Sequence, residues 1–202
     1  MRRANRLQPD GRFGTLPDRG AFMGNRGSLH DAQGLIRRHH ATKGWITCTL
    51  REKPGRGAHP FPVPGKWTPL FFLDEAVACA AGHRPCAECR RAVYNDFRAA
   101  WDRAFGTAAK ACEIDAILHE ERLRAQDIAS PADLPPGAFF LWHDIACLQG
   151  DGNALPYLDG VYGAPIPAPR RPAPILTPAP LVAVMRAGWR PVMAARDDRP
   201  NW

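Results

Sequence analysis

Two cysteines three residues apart, Cys86 and Cys89 in the stretch AAGHRPCAECRR, constrain this chain more than any other feature. A C-x-x-C turn puts both sulfurs on one small knuckle, at the separation that tetrahedral zinc requires. Pro85 stiffens the approach, and the backbone amides after Cys86 are placed to hydrogen-bond its thiolate. The rival reading is a redox pair, which expects strand, C-x-x-C and helix within a βαβ unit. A short helix precedes the motif here, so metal is favoured. Two thiolates leave a zinc site half built, and the remaining ligands have to come from elsewhere in the 202 residues.

Compartment decides how the other thiols are read. No apolar stretch follows the arginines of MRRANRLQPDGRFG, so the N-terminus does not read as a secretory signal. No apolar run approaches the roughly 18–20 residues of a membrane span. A cytoplasmic protein is expected, and in a reducing cytosol clustered cysteines bind metal or act chemically instead of forming disulfides. Cys48, Cys79, Cys112 and Cys147 are dispersed. The net charge of +7 is uneven: residues 1–60 hold 12 Lys and Arg against 4 Asp and Glu, whereas residues 111–150 hold 2 against 7. A basic end beside an acidic middle points to a polyanion-facing surface. A plain solvated basic face is the alternative.

Patterning divides the chain into an α+β sequence. Residues 1–22, rich in Arg, Gly and Pro, are expected to be ordered in part at most. SLHDAQGLIRR reads as a hairpin, and GWITCTLRE as a strand with Trp45, Thr47 and Thr49 on one face and Ile46, Cys48 and Leu50 on the other. KPGRGAHPFPVPGK is a loop and WTPLFFL another strand. DEAVACAAG predicts a short helix with Asp74 as N-cap and Gly82 past its end. In RRAVYNDFRAAWDRAF, apolar Val93, Phe97, Trp101 and Phe105 recur every four residues, which predicts an amphipathic helix. A further helix is expected in CEIDAILHEERLRAQ, on apolar Ile114, Ile117, Leu118 and Leu123. Short strands follow, then a Pro-rich connector, and LVAVMRAGWRPVM is a last helix turning at Gly188. The expected organisation is a basic segment over 1–22, a zinc-binding module over 23–107 and a smaller α+β region over 108–202.

The stretch FFLDEAVACAAGHRPCAECRR, residues 71–91, resembles the second half of the zinc-binding domain of the Ada alkylation-repair regulators. That family reads strand, acidic-started helix, then A-G-aromatic-R-P-C-x-x-C, and residues 24–91 fit it more loosely. Ada supplies its other two ligands as C-x-x-x-C, the first of which takes a methyl group from a DNA phosphotriester. Here only Cys48 stands upstream. A related group of Ada-like modules, some fused to nucleases, opens with G-N, then a histidine, then one cysteine, and GNRGSLHD is similar to that opening. The resemblance implies a zinc site of His30, Cys48, Cys86 and Cys89. The His30–Cys48 spacing is longer than in those modules, and His83, His39, His40 and His59 are the substitutes for His30. Histidine stands at the methyl-acceptor position, so direct repair chemistry does not carry over.

Three classes of function remain. The first is zinc-stabilised DNA binding, in repair or regulation, with Arg26, Arg37, Arg38, Arg84, Arg90 and Arg91 as phosphate contacts; DNA as the partner is what the resemblance implies. The second is a metal-dependent nucleic-acid-processing enzyme built on residues 113–122. There Asp115 and His119 lie four apart on one helix face, as catalytic ligands or as an acid/base pair; plain surface pairing is the alternative. No H-E-x-x-H, P-loop, G-x-G-x-x-G or nucleophile elbow supports an enzyme. The third is a scaffold held together by zinc, to which the Pro-rich connector is suited. Trp45 and Trp67 are expected to pack internally before they stack on bases.

Overall fold

The computed structural model describes residues 4–16, 20–50, 63 and 65–194. A mixed sheet organises the N-terminal half. Its strands are β1 (Arg6–Leu7), β2 (Phe13–Gly14), β3 (Phe22–Asn25), β4 (Ile46–Thr49), β5 (Leu70–Phe72) and β6 (Arg84–Pro85), in the order β2-β1-β5-β3-β4-β6. The alternation expected around β4 is present: Trp45 and Thr47 are buried, Ile46 and Cys48 only half so. The hairpin in SLHDAQGLIRR is also present, closed by Asp31 N–H to Leu35 C=O and Arg37 N–H to Leu29 C=O. Within the N-terminal segment, residues 6–14 supply β1 and β2 to the sheet. An open β5 edge carries unmet backbone groups. Phe71 N–H donates to Asn5 C=O, the Asn5 amide donates to Pro69 C=O at 3.0 Å, and Leu7 is buried beneath.

Helix α1 (Glu75–Ala80) starts where its cap predicts, the Asp74 carboxylate accepting from Val77 N–H at 2.8 Å, and ends before Gly82 at φ 83°. Helix α2 (Arg91–Phe105) buries Tyr94, Phe97, Ala100 and Trp101, and leaves Phe105 43% exposed. The four-residue spacing misjudges this face for a geometric reason. At 3.6 residues per turn each step of four drifts about 40°, so residues 93 and 105 stand about 120° apart. In α3 (Ala111–Glu121) Ile114 and Leu118 are buried and Ile117 is exposed, as is Leu123 in the turn past the helix end.

Beyond α3, β7 (Ile128–Ala129) pairs with β13 (Ala173–Pro174). A second antiparallel sheet runs β11-β10-β9-β8, from β8 (Phe139–Trp142), β9 (Ile145–Gln149), β10 (Asn153–Leu158) and β11 (Val161–Tyr162). Strand β12 (Ile166–Pro167) pairs with β10, and helix α4 (Ala179–Arg186) is followed by a turn at Gly188. The class is α+β. Among the described residues no helix is long and apolar enough to cross a membrane.

Two apolar cores form, and each draws on both sides of residue 107. One joins Phe97 and Trp101 to Ile114, Leu118, Phe140, Met185 and Trp189. The other joins Leu7, Leu70, Phe72 and Val77 to Phe139, Leu148, Tyr157 and Tyr162. Buried acids at the start of α1 add a polar tie. Asp74 accepts from Tyr162 O–H and Ala194 N–H, both at 2.8 Å, and Glu75 accepts from Val192 N–H at 3.0 Å. The boundary expected near residue 107 therefore falls where the two halves share their interior.

Candidate metal centre and the arginines around it

Strand pairing, more than sequence spacing, builds this site. β4 runs parallel to β6, with Ile46 opposite Arg84 and Thr47 opposite Pro85, and Cys86 N–H donates to Thr47 C=O at 2.9 Å. That register carries Cys48 to the C-x-x-C knuckle. The sulfurs of Cys48, Cys86 and Cys89 all lie within 4.8 Å of one another. A tetrahedron with Zn–S bonds of about 2.3 Å has S···S edges of about 3.8 Å, so a small contraction would bring all three onto one ion. None of the three is in a disulfide, and a soft thiolate set of this kind suits zinc.

The thiols are electrostatically unequal. The Cys48 thiol hydrogen-bonds to Cys86 and, with the amides of Cys89 and Glu88, holds Cys86 down to about 5 against the effect of burial. Glu88 N–H lies 3.4 Å from the Cys86 sulfur. Cys48 is pushed far up by that same hydrogen bond, then by burial and by the charges of Cys86 and Cys89. Burial raises Cys89. One thiolate is thus ready-made, and the other two thiols must lose protons when metal binds.

His30 is not part of this group. Its Nδ1 lies 2.7 Å from Thr68 Oγ1 and its Nε2 lies 3.1 Å from Val63 C=O. The carbonyl can only accept, so Nε2 donates to it. The reason is topological: His30 lies in the hairpin beyond β3, bridged to Ile36, while Cys48 is on β4. Of the substitutes, His83 is fully buried against Phe72 and Trp45, and His39 and His40 pack around Trp45. His59 lies outside the described residues. Cys79 is a buried core residue, as its place on α1 suggests.

Half of the arginines expected to face phosphate are internal. Arg26 is 0% exposed. Arg84 is buried and grips Asp115 with two hydrogen bonds, at 2.8 and 2.7 Å. Arg90 is buried, paired with Glu75, with its guanidinium 4.7 Å from the Phe22 ring centre. Arg37, Arg38 and Arg91 are exposed, and Arg37 also bonds Asp31 at 2.6 Å. Of the two expected catalytic groups, Asp115 accepts from Arg84 through both its oxygens. Its helix neighbour His119 does not pair with it but packs on His40, with ring centres 5.2 Å apart.

Sequence reasoning missed the cluster behind these contacts. Trp45 is ringed by His39, His40, His83, Arg26 and Arg122. Its members come from five separate stretches, and no local spacing marks them. Compared with protein-family models, with curated proteins and with solved structures, the chain matches none.

Proposed function

We propose that this chain is a zinc-stabilised DNA-binding protein, its metal held by Cys48, Cys86 and Cys89 in an Ada-like module. The convergence of those three sulfurs carries the proposal. Bound there, zinc would supply structural cross-linking: it would tie β4 to the knuckle that starts α2. The ligand set among the described residues stops at three, and residues 51–62, which follow Cys48 closely, lie outside them. The nucleic-acid half rests on the net charge of +7 and on the arginines left at the surface, Arg37, Arg38 and Arg91.

Metal analysis tests the first half. One zinc per chain is expected, and it should be lost with Cys86→Ser; a chain that carries no zinc and still unfolds cooperatively overturns it. Salt-dependent binding to duplex DNA tests the second. The affinity should fall with a log–log slope of about −0.9 per phosphate neutralised, and replacing Arg37, Arg38 and Arg91 by Gln should flatten it with zinc content unchanged. No retention on DNA at low salt removes DNA binding and leaves the zinc-held scaffold.

A further inference from the structure

The C-x-x-C knuckle sits in a setting that its own residues did not disclose. Strand β6 runs straight into it and helix α2 follows, so the order is strand, C-x-x-C, helix. β6 also lies parallel to β4, with β5 and α1 in the connection between them. A parallel neighbour and a helix after the motif are what a redox pair calls for. The ladder fixes which thiol faces which. Arg84 N–H donates to Trp45 C=O at 3.1 Å, and Cys86 N–H donates to Thr47 C=O at 2.9 Å. Donor and acceptor each advance by two residues, so the register runs on from Thr47 opposite Pro85 to Cys48 opposite Cys86.

Neighbouring strands lie about 4.7–4.9 Å apart, and a disulfide spans Cα separations of about 4.4–6.8 Å. Cys48 and Cys86 therefore stand within bonding reach across the sheet. Their sulfurs are already within 4.8 Å of each other, and the Cys48 thiol hydrogen-bonds to Cys86. Cys89 is held differently, its sulfur accepting from Thr49 N–H. Cys48 and Cys89 are partly exposed, which opens the cluster to solvent, whereas Cys79 and Cys147 are buried elsewhere.

We propose that this cluster is redox-active, a hydroperoxide converting Cys48 and Cys86 into a disulfide across β4 and β6. The Cys86 sulfur attacks one peroxide oxygen: an S–O bond forms, the O–O bond breaks, and the other oxygen leaves as alcohol or water with the Cys86 proton. The Cys48 sulfur then displaces the oxygen on Cys86. The S–S bond forms, the S–O bond breaks, and the departing hydroxide takes the Cys48 proton and leaves as water. Two thiols lose two electrons and the peroxide gains them. In a metal-bound chain both protons come from solvent. A disulfide sulfur is no longer a thiolate ligand, so the same step empties the metal position. That consequence alone rests on the zinc reading.

Thiol counting and peptide mapping of the whole chain, treated as purified with hydrogen peroxide, test this. Two of the six thiols should be lost, the mapped bridge should join Cys48 to Cys86, and dithiothreitol should restore both. Cys112→Ser removes the exposed thiol and should leave this unchanged. Unfolding in urea before the peroxide is added should slow the bridge by about tenfold or more, since only the sheet sets these sulfurs side by side. Where the chain carries zinc, a chromogenic chelator should detect one ion released per bridge. A chain without zinc overturns the metal reading, while the bridge still decides this one. Thiols that survive the peroxide, a bridge from Cys86 to Cys89 instead, or equal rates in folded and unfolded chain would each overturn the proposal.

Discussion

Cys86 and His83 stand three residues apart, and the fold drives their protons in a common direction for different reasons. Cys86 loses its proton because a thiol and two amides donate to it; His83 fails to gain one because it is buried against Arg26. In metal-free protein, thiolate ultraviolet absorbance should therefore retain one thiolate down to about pH 5, absent in Cys86→Ser. An absorbance that disappears near pH 9 would contradict this. For His83 the sign follows from linkage. The unfolded imidazole takes a proton below about 6.5 and the folded one does not, so the unfolded state binds more protons there. Stability should then fall as pH drops below about 6.5, by up to about 1.4 kcal/mol per pH unit for this group. His83→Gln keeps an acceptor for Arg26 and should make that acid limb shallower in denaturant titrations at several pH values. Equal limbs in parent and variant would refute the assignment.

At the scale of elements, adjacent arginines at the start of α2 do opposite work. Arg90 joins the start of α2 to Glu75 on α1, and Glu75 also holds Val192. Arg91, one residue on, points to solvent. Removing one partner of a buried ion pair strands the other, at about 3–5 kcal/mol. Arg90→Ala should therefore cost about that much in chemical denaturation, while Arg91→Ala should change stability by less than about 0.5 kcal/mol. Similar losses for both would show that the Arg90–Glu75 pair is not holding the two helices. The Arg84–Asp115 pair does the same between β6 and α3. Its partners lie 31 residues apart, so the spacing of Asp115 and His119 on the helix gave no sign of it.

Over the whole molecule, both apolar cores draw on residues before and after 107. A chain ending at residue 107 would expose Phe97 and Trp101, now packed on Ile114, Leu118, Met185 and Trp189, at a loss of roughly 1.5–3 kcal/mol for each large side chain uncovered. It would also leave Asp74 without Tyr162 and Ala194. Such a fragment should show no cooperative unfolding even with zinc supplied; a sharp transition would restore the module. Local chemistry was legible in the residues alone: the Asp74 cap, the Gly82 stop, the alternation around Cys48 and the C-x-x-C knuckle. Each depends on neighbours in the chain or on the period of a strand or helix, and the tie of the knuckle to Cys48 came through the family resemblance. Tertiary structure alone decided that His30 bonds Thr68, that Arg26, Arg84 and Arg90 turn inward, and that the guanidiniums of Arg26 and Arg122 both pack on Trp45. Those outcomes hang on strand order and on pairings such as Arg84–Asp115 and Arg26–His83, between residues 31 and 57 positions apart, and side-chain periodicity carries no information over that distance.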